Sequence, residues 1–431
     1  MSNEKNVPVG RLGRMAKLGA LAIGAGASAL LKRSNDSAAD QAAEVLGNLR
    51  GLAAKIGQMA SYVDGLVPED KRDAFEASLK VLRSQAPRSS SADIRRTVEE
   101  DLGAPLDHLF DAWEDEPIAS ASIGQVHRAR VRLAGSDVDG FEVAVKVQHP
   151  GIRKAVENDL ASASVLEGLG AMVGARRFDT KGNLAILRAR FLEELDYTLE
   201  AERIRAFQHV HEGEAKIRIP RVVAERSSLC VLTTEFVRGI AFDDAMVRSE
   251  AERRAWAETL WRYVFKGNLL GGMLNADPHP GNYLFQEDGQ VAFLDYGCVQ
   301  VLPERNRPLA RAMHRAAIAR DEAAFARGVT ELLRTKPGEL ERLAILYTRF
   351  CFEPLFASPY RIERRYAAEL VEKLKTMALA ARKVPDAEIF PMPPEMLFMN
   401  RLQFGFYSVM ARLDVEVDFA ALETSFLPPE G

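Results

Sequence analysis

The stretch GMLNADPHPGNYLFQEDGQVAFLDYG, residues 272–297, leaves a chain few ways to fold. Pro278, Pro280 and Gly281 hold DPHPGN out of helix, and Asp288-Gly289 between two apolar runs marks a hairpin turn. Asp277, Asn282 and Asp295 therefore stand on rigid loops beside buried strands. Acidic groups in such places are costly unless something cationic meets them. An Asp and an Asn offer hard oxygen ligands that suit Mg²⁺, which keeps waters and takes its other ligands from phosphates. A second Asp near a transferring phosphate accepts a proton or positions the nucleophile. For any one of these residues alone, a turn-forming Asx side chain is the simpler explanation.

The chain has 431 residues, enough for two domains or one large bilobal unit with extensions. A net charge of −4 gives no global electrostatic case for nucleic-acid binding. Cys230, Cys298 and Cys351 are odd in number and far apart, which supports neither a disulfide framework nor a zinc site and suits a reducing compartment.

The charge is unevenly spread. Residues 1–33 carry +5 and the remainder −9. Between the N-terminal cations lies LGALAIGAGASALL, residues 18–31, with no charge. As a helix it would reach roughly 21 Å, short of the roughly 30 Å hydrocarbon core. Four readings are open. A signal peptide would cleave at Ala27-Ser28-Ala29, but secretion conflicts with any use of ATP by the rest of the chain. An interfacial helix would set the flanking cations against anionic lipid. A short span would need Lys17 and Lys32 to snorkel. A buried helix would use the small-residue face Ala20, Gly24 and Ser28. Membrane association, as span or surface helix, is the favoured expectation.

Along the chain, Ser34-Asn35-Asp36-Ser37 offers a helix cap before the Ala/Leu-rich AADQAAEVLGNLRGLAAKIGQMASYV. Residues 68–110 read as short helices broken at Pro68, Pro87 and Pro105. VHRARVRLAG and FEVAVKVQH then flank a turn and form a strand pair. In the second strand Phe141, Val143, Val145 and Val147 share one face, leaving Lys146 on the other. Helices follow from about 153 to 212, SLCVLTTEFVRG (228–239) reads as a buried strand, and helices dominate from 250. The expected architecture is α+β: a helical extension (36–115) behind the basic segment (1–35), a sheet-rich lobe (116–240) and a helical lobe (241–431), with a cleft between the lobes.

Lys146 in VAVKV resembles the V-A-I-K strand of protein kinases, where the lysine contacts phosphates and needs a carboxylate on a nearby helix. FLEELDYTLEAER supplies Glu194, Asp196 and Glu200 in one helical run. A lone lysine on a polar strand face is usually just solvated, but here an acidic helix, a connector, a D-x₄-N loop and a DYG follow in kinase order. The Gly-rich phosphate loop is missing. PIASASIGQVH has only Gly124, with Ala119, Ser120, Ala121 and Ser122 where glycines would stand, and methyl groups restrict how closely a loop can approach. Ala276 precedes Asp277, so the usual Arg-Asp pair is absent, and after DYG no activation segment or Ala-Pro-Glu is recognisable.

Taken together, KIGQ (Lys55–Gln58), the Ala-rich loop, VAVK, ELD (Glu194–Asp196), NADPHPGN and DYG resemble the UbiB/ADCK/AarF family of atypical kinases, closest in look to its ADCK branch. The match runs in order over roughly residues 8 to 300. The resemblance implies a bilobal protein-kinase-like fold whose N-terminal helical extension covers the active site. Lys55 and Gln58, with Gly57 between them, share one helix face, and by position Lys55 would meet Glu194 and Asp196. The resemblance makes Glu200 the partner of Lys146, Asp277 the catalytic aspartate, and Asn282 and Asp295 the metal ligands. ATP or ADP would lie against Ala119, Ser120, Ala121, Ser122, Ile123, Gly124, Val126, Ala144 and the backbone of Glu235, Phe236 and Val237. It implies Mg²⁺ as cofactor and, as partners, membrane lipid or isoprenoid-quinone precursors and quinone-biosynthesis proteins, with no nucleic acid.

Some members carry two hydrophobic C-terminal spans, whereas this chain ends in DFAALETSFLPPEG. Membrane contact is then expected from the N-terminus, at the cytoplasmic face of a bacterial inner membrane. LQFGFYSVMARL (402–413) reads as core, and His279 as ordering its loop rather than acting as a base. Two functions remain in play: a Mg²⁺-dependent ATPase or small-molecule kinase supporting isoprenoid-quinone synthesis, and a nucleotide-gated binding or chaperone-like module in which turnover is incidental.

Overall fold

The computed structural model describes residues 89–121, 123–131, 140–160, 189, 192–381, 383–390 and 395–428. The basic segment, the KxGQ residues Lys55, Gly57 and Gln58, most of the helical extension, and Ser122 lie outside the described residues. The chain divides into two compact units. The first runs through Leu199 and takes in Val222–Phe236; the second holds Glu200–Arg221 and Val237 onward.

In the first unit, α1 (Ser91–Leu102) and the single turn α2 (Leu106–Leu109) precede a sheet of β1 (Ala112–Trp113), β2 (Ala119–Ser120), β3 (Gly124–Val131), β4 (Phe141–Gln148) and β6 (Val231–Glu235). The Ser90 hydroxyl caps α1 by accepting the Asp93 N–H, and Gly103 closes it at φ 72°. Pro105 stands between the two helices, where a break is expected, and is the N-cap residue of α2. β3 and β4 pair antiparallel from Gly124↔Gln148 to Val131↔Phe141, and β6 pairs with β4 on its other side. Val143, Val145 and Val147 are fully buried with Ile94 and Val98 of α1, while Lys146 stands on the opposite face. Burial of each such side chain stabilises the unit by roughly 1.5–3 kcal/mol, which is why alternation fixes the register. α3 (Ile152–Leu160) follows β4, and α4 (Tyr197–Val210) begins in this unit and continues into the second. The strand expected over 228–239 is shorter than foreseen, because Ser228 turns back through its N–H to Val231 O and only Val231–Glu235 reaches the β4 ladder.

The second unit is mainly helical. Its long helix α6 (Glu250–Leu269) starts from a capping box of Ser249 and Glu252. It buries Trp256, Trp261 and Tyr263 along its length. Before it comes the one-turn α5 (Phe242–Ala245), and after it β7 (Met273–Asn275), β8 (Tyr283–Phe285), β9 (Val291–Phe293) and β10 (Val299–Val301). β8 and β9 form the expected hairpin, with Asp288 and Gly289 both at positive φ (54° and 75°). β9 also pairs in parallel with β5 (Ile217–Arg218), and β7 pairs with β10. The Trp256 indole donates to Gln286 O and the Thr259 hydroxyl to Gly289 O, so the hairpin turn is pinned to α6. The helices α7 (Asn306–Ile318), α8 (Glu322–Leu333), α9 (Glu339–Cys351), α10 (Glu353–Phe356), α11 (Arg364–Ala381), α12 (Glu395–Leu413) and α13 (Phe419–Thr424) complete the unit, with β11 (Tyr360–Arg361) pairing β12 (Glu416–Val417). Residues 402–413 are core, as expected: Leu402, Phe406, Tyr407, Val409, Met410 and Leu413 are all buried. Among the described residues no helix is long and apolar enough to cross a membrane.

Two buried polar groups in this unit make measurable predictions. Glu423, fully buried, accepts the Trp261 indole N–H at 2.9 Å through one oxygen and meets His314 Nδ1 at 2.7 Å through the other. Replacing it by Leu strands both partners, so Glu423→Leu should lose about 2–3 kcal/mol of stability in urea denaturation followed by circular dichroism. An unchanged midpoint would count against this network. His211 stacks between Phe207 and Tyr263, and neither ring nitrogen has a hydrogen-bond partner. Burial, helped by the Lys266 charge, pushes its imidazole down to about 3. The folded ring refuses a proton that the unfolded chain takes up near pH 6.5. Stability from this residue is thus complete above pH 6.5 and is lost as pH falls toward 3, at about 1.4 kcal/mol per pH unit. His211→Phe should lose roughly 2 kcal/mol less than the parent between pH 7 and 5; parallel pH–stability curves would refute it.

Candidate active site

In the first unit the pleat of β4 carries Lys146 away from the valine face and brings its Nζ within 5.0 Å of the centroid of the Tyr197 ring. Ala144 pairs with Thr234, and Val126 on β3 lies opposite Lys146. The Ala-rich stretch, where the sequence suggests a loop of restricted conformation, is partly paired. Ala119 pairs with Val126 and Ser120 with Gln125, and the Ala121 N–H donates to Gly124 O at 2.8 Å, so these residues fold into a tight hairpin on β3. Two further bonds hold its tip: His149 N–H donates to Ile123 O, and His149 Nε2 donates to Ala121 O at 3.1 Å. Gly124 is a glycine for want of space, since a Cβ there would sit 2.4 Å from Val147 O and 2.9 Å from the Tyr197 hydroxyl oxygen.

In the expected connector the Phe236 N–H donates to Glu142 O at 3.0 Å, which extends the sheet past Glu235 and takes up one of the backbone donors foreseen for adenine. Val237 opens the second unit. Of the ELD residues, Glu194 is buried and Asp196 caps α4. Asp196 Oδ1 accepts from Thr198 N (3.0 Å), Thr198 Oγ1 (2.5 Å) and Leu199 N (3.2 Å). Burial opposes its ionisation, but these donors outweigh burial and hold the carboxyl below its ordinary range. Asp196 therefore has a capping role, and its expected partner Lys55 lies outside the described residues.

In the second unit the acidic loops converge. Asn275, at the end of β7, accepts the Asp277 N–H on Oδ1 at 3.1 Å and donates from Nδ2 to Asp295 O at 2.6 Å. Asn282 Nδ2 donates to Asp277 O at 3.1 Å, and Leu294 N–H to Asn282 O at 3.0 Å. Residues 280–282 form a single 3₁₀ turn, a small correction to a wholly non-helical loop. Pro280 suits its first position, and His279 Nδ1 accepts the Gly281 N–H at 2.7 Å. His279 thus orders the loop, as the sequence indicates. Asp295 Oδ1 accepts the Gly297 N–H at 2.9 Å. Glu200 and Arg203, one turn apart on α4, grip the next peptides: Glu200 Oε1 accepts the Tyr296 N–H at 3.3 Å, and Arg203 Nη1 donates to Gly297 O at 2.9 Å. Glu200 is only 2% exposed. Tyr263 stacks on Phe293, Tyr283 meets Phe293 edge-on, and Tyr296 is fully buried; burial raises all three phenols and keeps them neutral.

These contacts suit a hard divalent cation. The Asn282 amide nitrogen is committed to Asp277 O, which turns its oxygen to the other side, and the Asp295 carboxylate is oriented by Gly297. Among the described residues no group of three His, Cys, Asp or Glu side chains could hold a metal by itself. Asn275, Arg203 and Tyr197 were not foreseen. An Asn two residues before Asp277 is the pattern of an Asx turn and could have signalled the first of them.

Gly405 of α12 packs against this loop. A Cβ added there would stand 2.6 Å from Pro278 Cγ. Gly→Ala inside a helix usually gains up to about 1 kcal/mol, but a rigid proline ring cannot give way as a flexible chain end would. Gly405→Ala should therefore be net destabilising by about 1–2 kcal/mol, measured as a lowered denaturation midpoint. A rise in stability would show that the loop yields.

The family described as the ABC1 atypical kinase-like domain matches residues 81–328. The chain is 31% identical over 265 residues to AarF domain-containing protein kinase 1 of Mus musculus, covering 60% of this chain and 48% of that protein. It is 30% identical over 275 residues to the chloroplastic protein ACTIVITY OF BC1 COMPLEX KINASE 1 of Arabidopsis thaliana (63% and 39%). Against the mitochondrial atypical kinase coq-8 of Caenorhabditis elegans the identity is 25% over 453 residues (98% and 58%). The chain thus spans less than two thirds of the length of each of these relatives. A solved structure of the Mycobacterium tuberculosis protein Rv3197 in complex with erythromycin matches with a TM-score of 0.61 at 26% identity, covering 94% of this chain and 98% of that one. Motif order, the α+β kinase-like fold and these matches agree: the chain belongs to the ABC1 atypical kinase-like family, that of the AarF-domain and coq-8 kinases.

Proposed function

We propose that this chain binds ATP with Mg²⁺ and hydrolyses it, or transfers its terminal phosphoryl group to a small acceptor, at a membrane surface. The observation that carries the reading is the Asn275 amide, which joins the backbone of Asp277 to that of Asp295 and so fixes two acidic loops against each other. In this reading Asp277 receives the proton of the attacking water or hydroxyl. A bond forms from that oxygen to the terminal phosphorus, the bridging bond to ADP breaks, and ADP leaves. Asn282 and Asp295 would hold Mg²⁺, which would supply positive charge to neutralise the phosphate oxygens. By the family resemblance, Lys146 would contact the phosphates and Glu200 would be its carboxylate. The family resemblance adds the link to isoprenoid-quinone synthesis and the membrane, where the basic N-terminal segment would supply the attraction to anionic lipid.

One observation favours a second reading, a nucleotide-gated module with incidental turnover. The tip of the Ala-rich hairpin directs its Ala121 N–H to Gly124 O and its Ala121 carbonyl to His149, rather than leaving the backbone open to phosphate. The two readings part in a deletion strain lacking this gene. Rescue of quinone levels by a nucleotide-binding but hydrolysis-dead variant would select the module.

The direct test is steady-state ATP hydrolysis by the full chain at controlled Mg²⁺, with and without anionic vesicles. Hydrolysis should require Mg²⁺ and rise with vesicles. Asp277→Asn should lower the rate about 100-fold or more while nucleotide still binds. Full hydrolysis by Asp277→Asn would remove the enzyme reading.

A further inference from the structure

We infer that Tyr197 is a positioning residue that holds the Lys146 ammonium on its ring face and so sets how the lysine meets a polyphosphate. This deepens the nucleotide reading above and rests on it. Nζ lies 5.0 Å from the ring centroid, within the roughly 6 Å over which an aromatic quadrupole attracts a cation. Tyr197 is fully buried. At such depth the attraction is screened less than on a surface.

The backbone that carries the ring is fixed from several directions, and the ring itself is fully buried. Tyr197 N–H donates to Leu229 O at 3.1 Å. Gln148 Nε2 donates to the carbonyls of Leu195 (2.9 Å) and Leu229 (3.1 Å), and Arg153 Nη2 to Leu195 O at 2.5 Å. Lys146 and Gln148 are two residues apart and share one face of β4. One side chain of that face thus anchors the start of α4 while the other rests on its first ring. On the far side, Gly124 leaves room for the Tyr197 hydroxyl, which would lie 2.9 Å from a Cβ there. A single phenol therefore touches both the lysine and the end of the Ala-rich hairpin. Helix propensity does not explain a tyrosine here, since Leu serves a helix better and would fill similar volume. What Leu lacks is the electron-rich face. Lys146 has other polar interactions, so the ring is one hold among several and its removal should weaken rather than abolish binding.

The test uses the full chain as wild type, Tyr197→Phe, Tyr197→Leu and Lys146→Met, with calorimetric titration of MgATP and MgADP. It also follows the ¹³C-dimethyl-lysine NMR signal that is missing in Lys146→Met. Tyr197→Phe keeps the ring and should bind within about twofold of wild type, whereas Tyr197→Leu should bind about three- to tenfold more weakly. The Lys146 signal should be shifted upfield by the ring in wild type and Tyr197→Phe, and return to the position of solvated lysines in Tyr197→Leu. Wild-type affinity in Tyr197→Leu beside weak binding in Lys146→Met overturns the role of Tyr197 and leaves the nucleotide reading standing. Wild-type affinity in Lys146→Met overturns both. If Tyr197→Leu does not fold, the first two spectra still decide: an unshifted Lys146 signal in wild type overturns the inference.

Discussion

One amide side chain organises the acidic half of the candidate site. Asn275 accepts from the peptide of Asp277 and donates to the carbonyl of Asp295, residues that flank a hairpin, and so adds a side-chain tie to the β7–β10 pairing. Around that tie, Asn282 holds the Asp277 carbonyl and Gly297 orients the Asp295 carboxylate. Glu200 and Arg203 close on the two peptides that follow. Each bond is worth only about 1 kcal/mol net. Their combined effect is geometric: phosphoryl transfer asks little covalent chemistry of a protein and a great deal of positioning. The neutral tyrosines below the loops give these bonds a rigid, low-dielectric floor.

Much of this was legible in the sequence wherever the controlling interaction is local. The valine alternation of 143, 145 and 147 fixes β4, its burial and the outward Lys146, because the side-chain period of a strand is two. Asp288-Gly289 specifies its turn through backbone conformation alone, and both residues adopt the positive φ that the pair suggests. Pro105 falls between two helices as its fixed φ suggests, and the aromatic stripe of 402–413 packs as core. What the sequence hid depends on partners elsewhere in the chain. The pairing of Ala119 and Ser120 with β3 is set by partners five to seven residues on, and composition alone does not give that register. Glu200 reaches the peptide of Tyr296, 96 residues on, and no local pattern encodes that. Asp196 adds a role that the family motif does not carry: an Asp just ahead of a helical run is a capping signal, and it caps α4.

The Ala-rich hairpin shows how a chain without a glycine-rich loop keeps this segment in one shape. Behind it runs an ordered line of hydrogen bonds. Ser89 N–H donates to Gln125 Oε1, which turns the amide nitrogen of Gln125 toward His127 Nε2 at 2.8 Å. His127 Nε2 must then accept, so Nδ1 carries the proton and donates to Glu114 O at 2.8 Å. The ring is neutral, in keeping with the burial that lowers its proton affinity. On the other side Ser89 Oγ meets His149 Nδ1 at 2.9 Å, and His149 Nε2 donates to Ala121 O. Donors and acceptors alternate along this line with no mismatch. Where glycine would let a loop sample many conformations, this segment is tied to the sheet beneath it.

A held loop and a held lysine point the same way energetically. A flexible phosphate loop loses conformational entropy when it closes on a ligand, about 1–2 kcal/mol for each residue fixed. A hairpin already ordered by Ala121, Gly124 and His149 avoids that loss, and so does a lysine already seated on a buried ring. Preorganisation of this kind favours whichever phosphate arrangement the fixed parts match and disfavours the others. On the proposed nucleotide reading, the Ala-rich hairpin and the seated lysine would therefore narrow the range of bound states rather than remove the site, a restricted grip compatible with a small acceptor, or water, at the terminal phosphate.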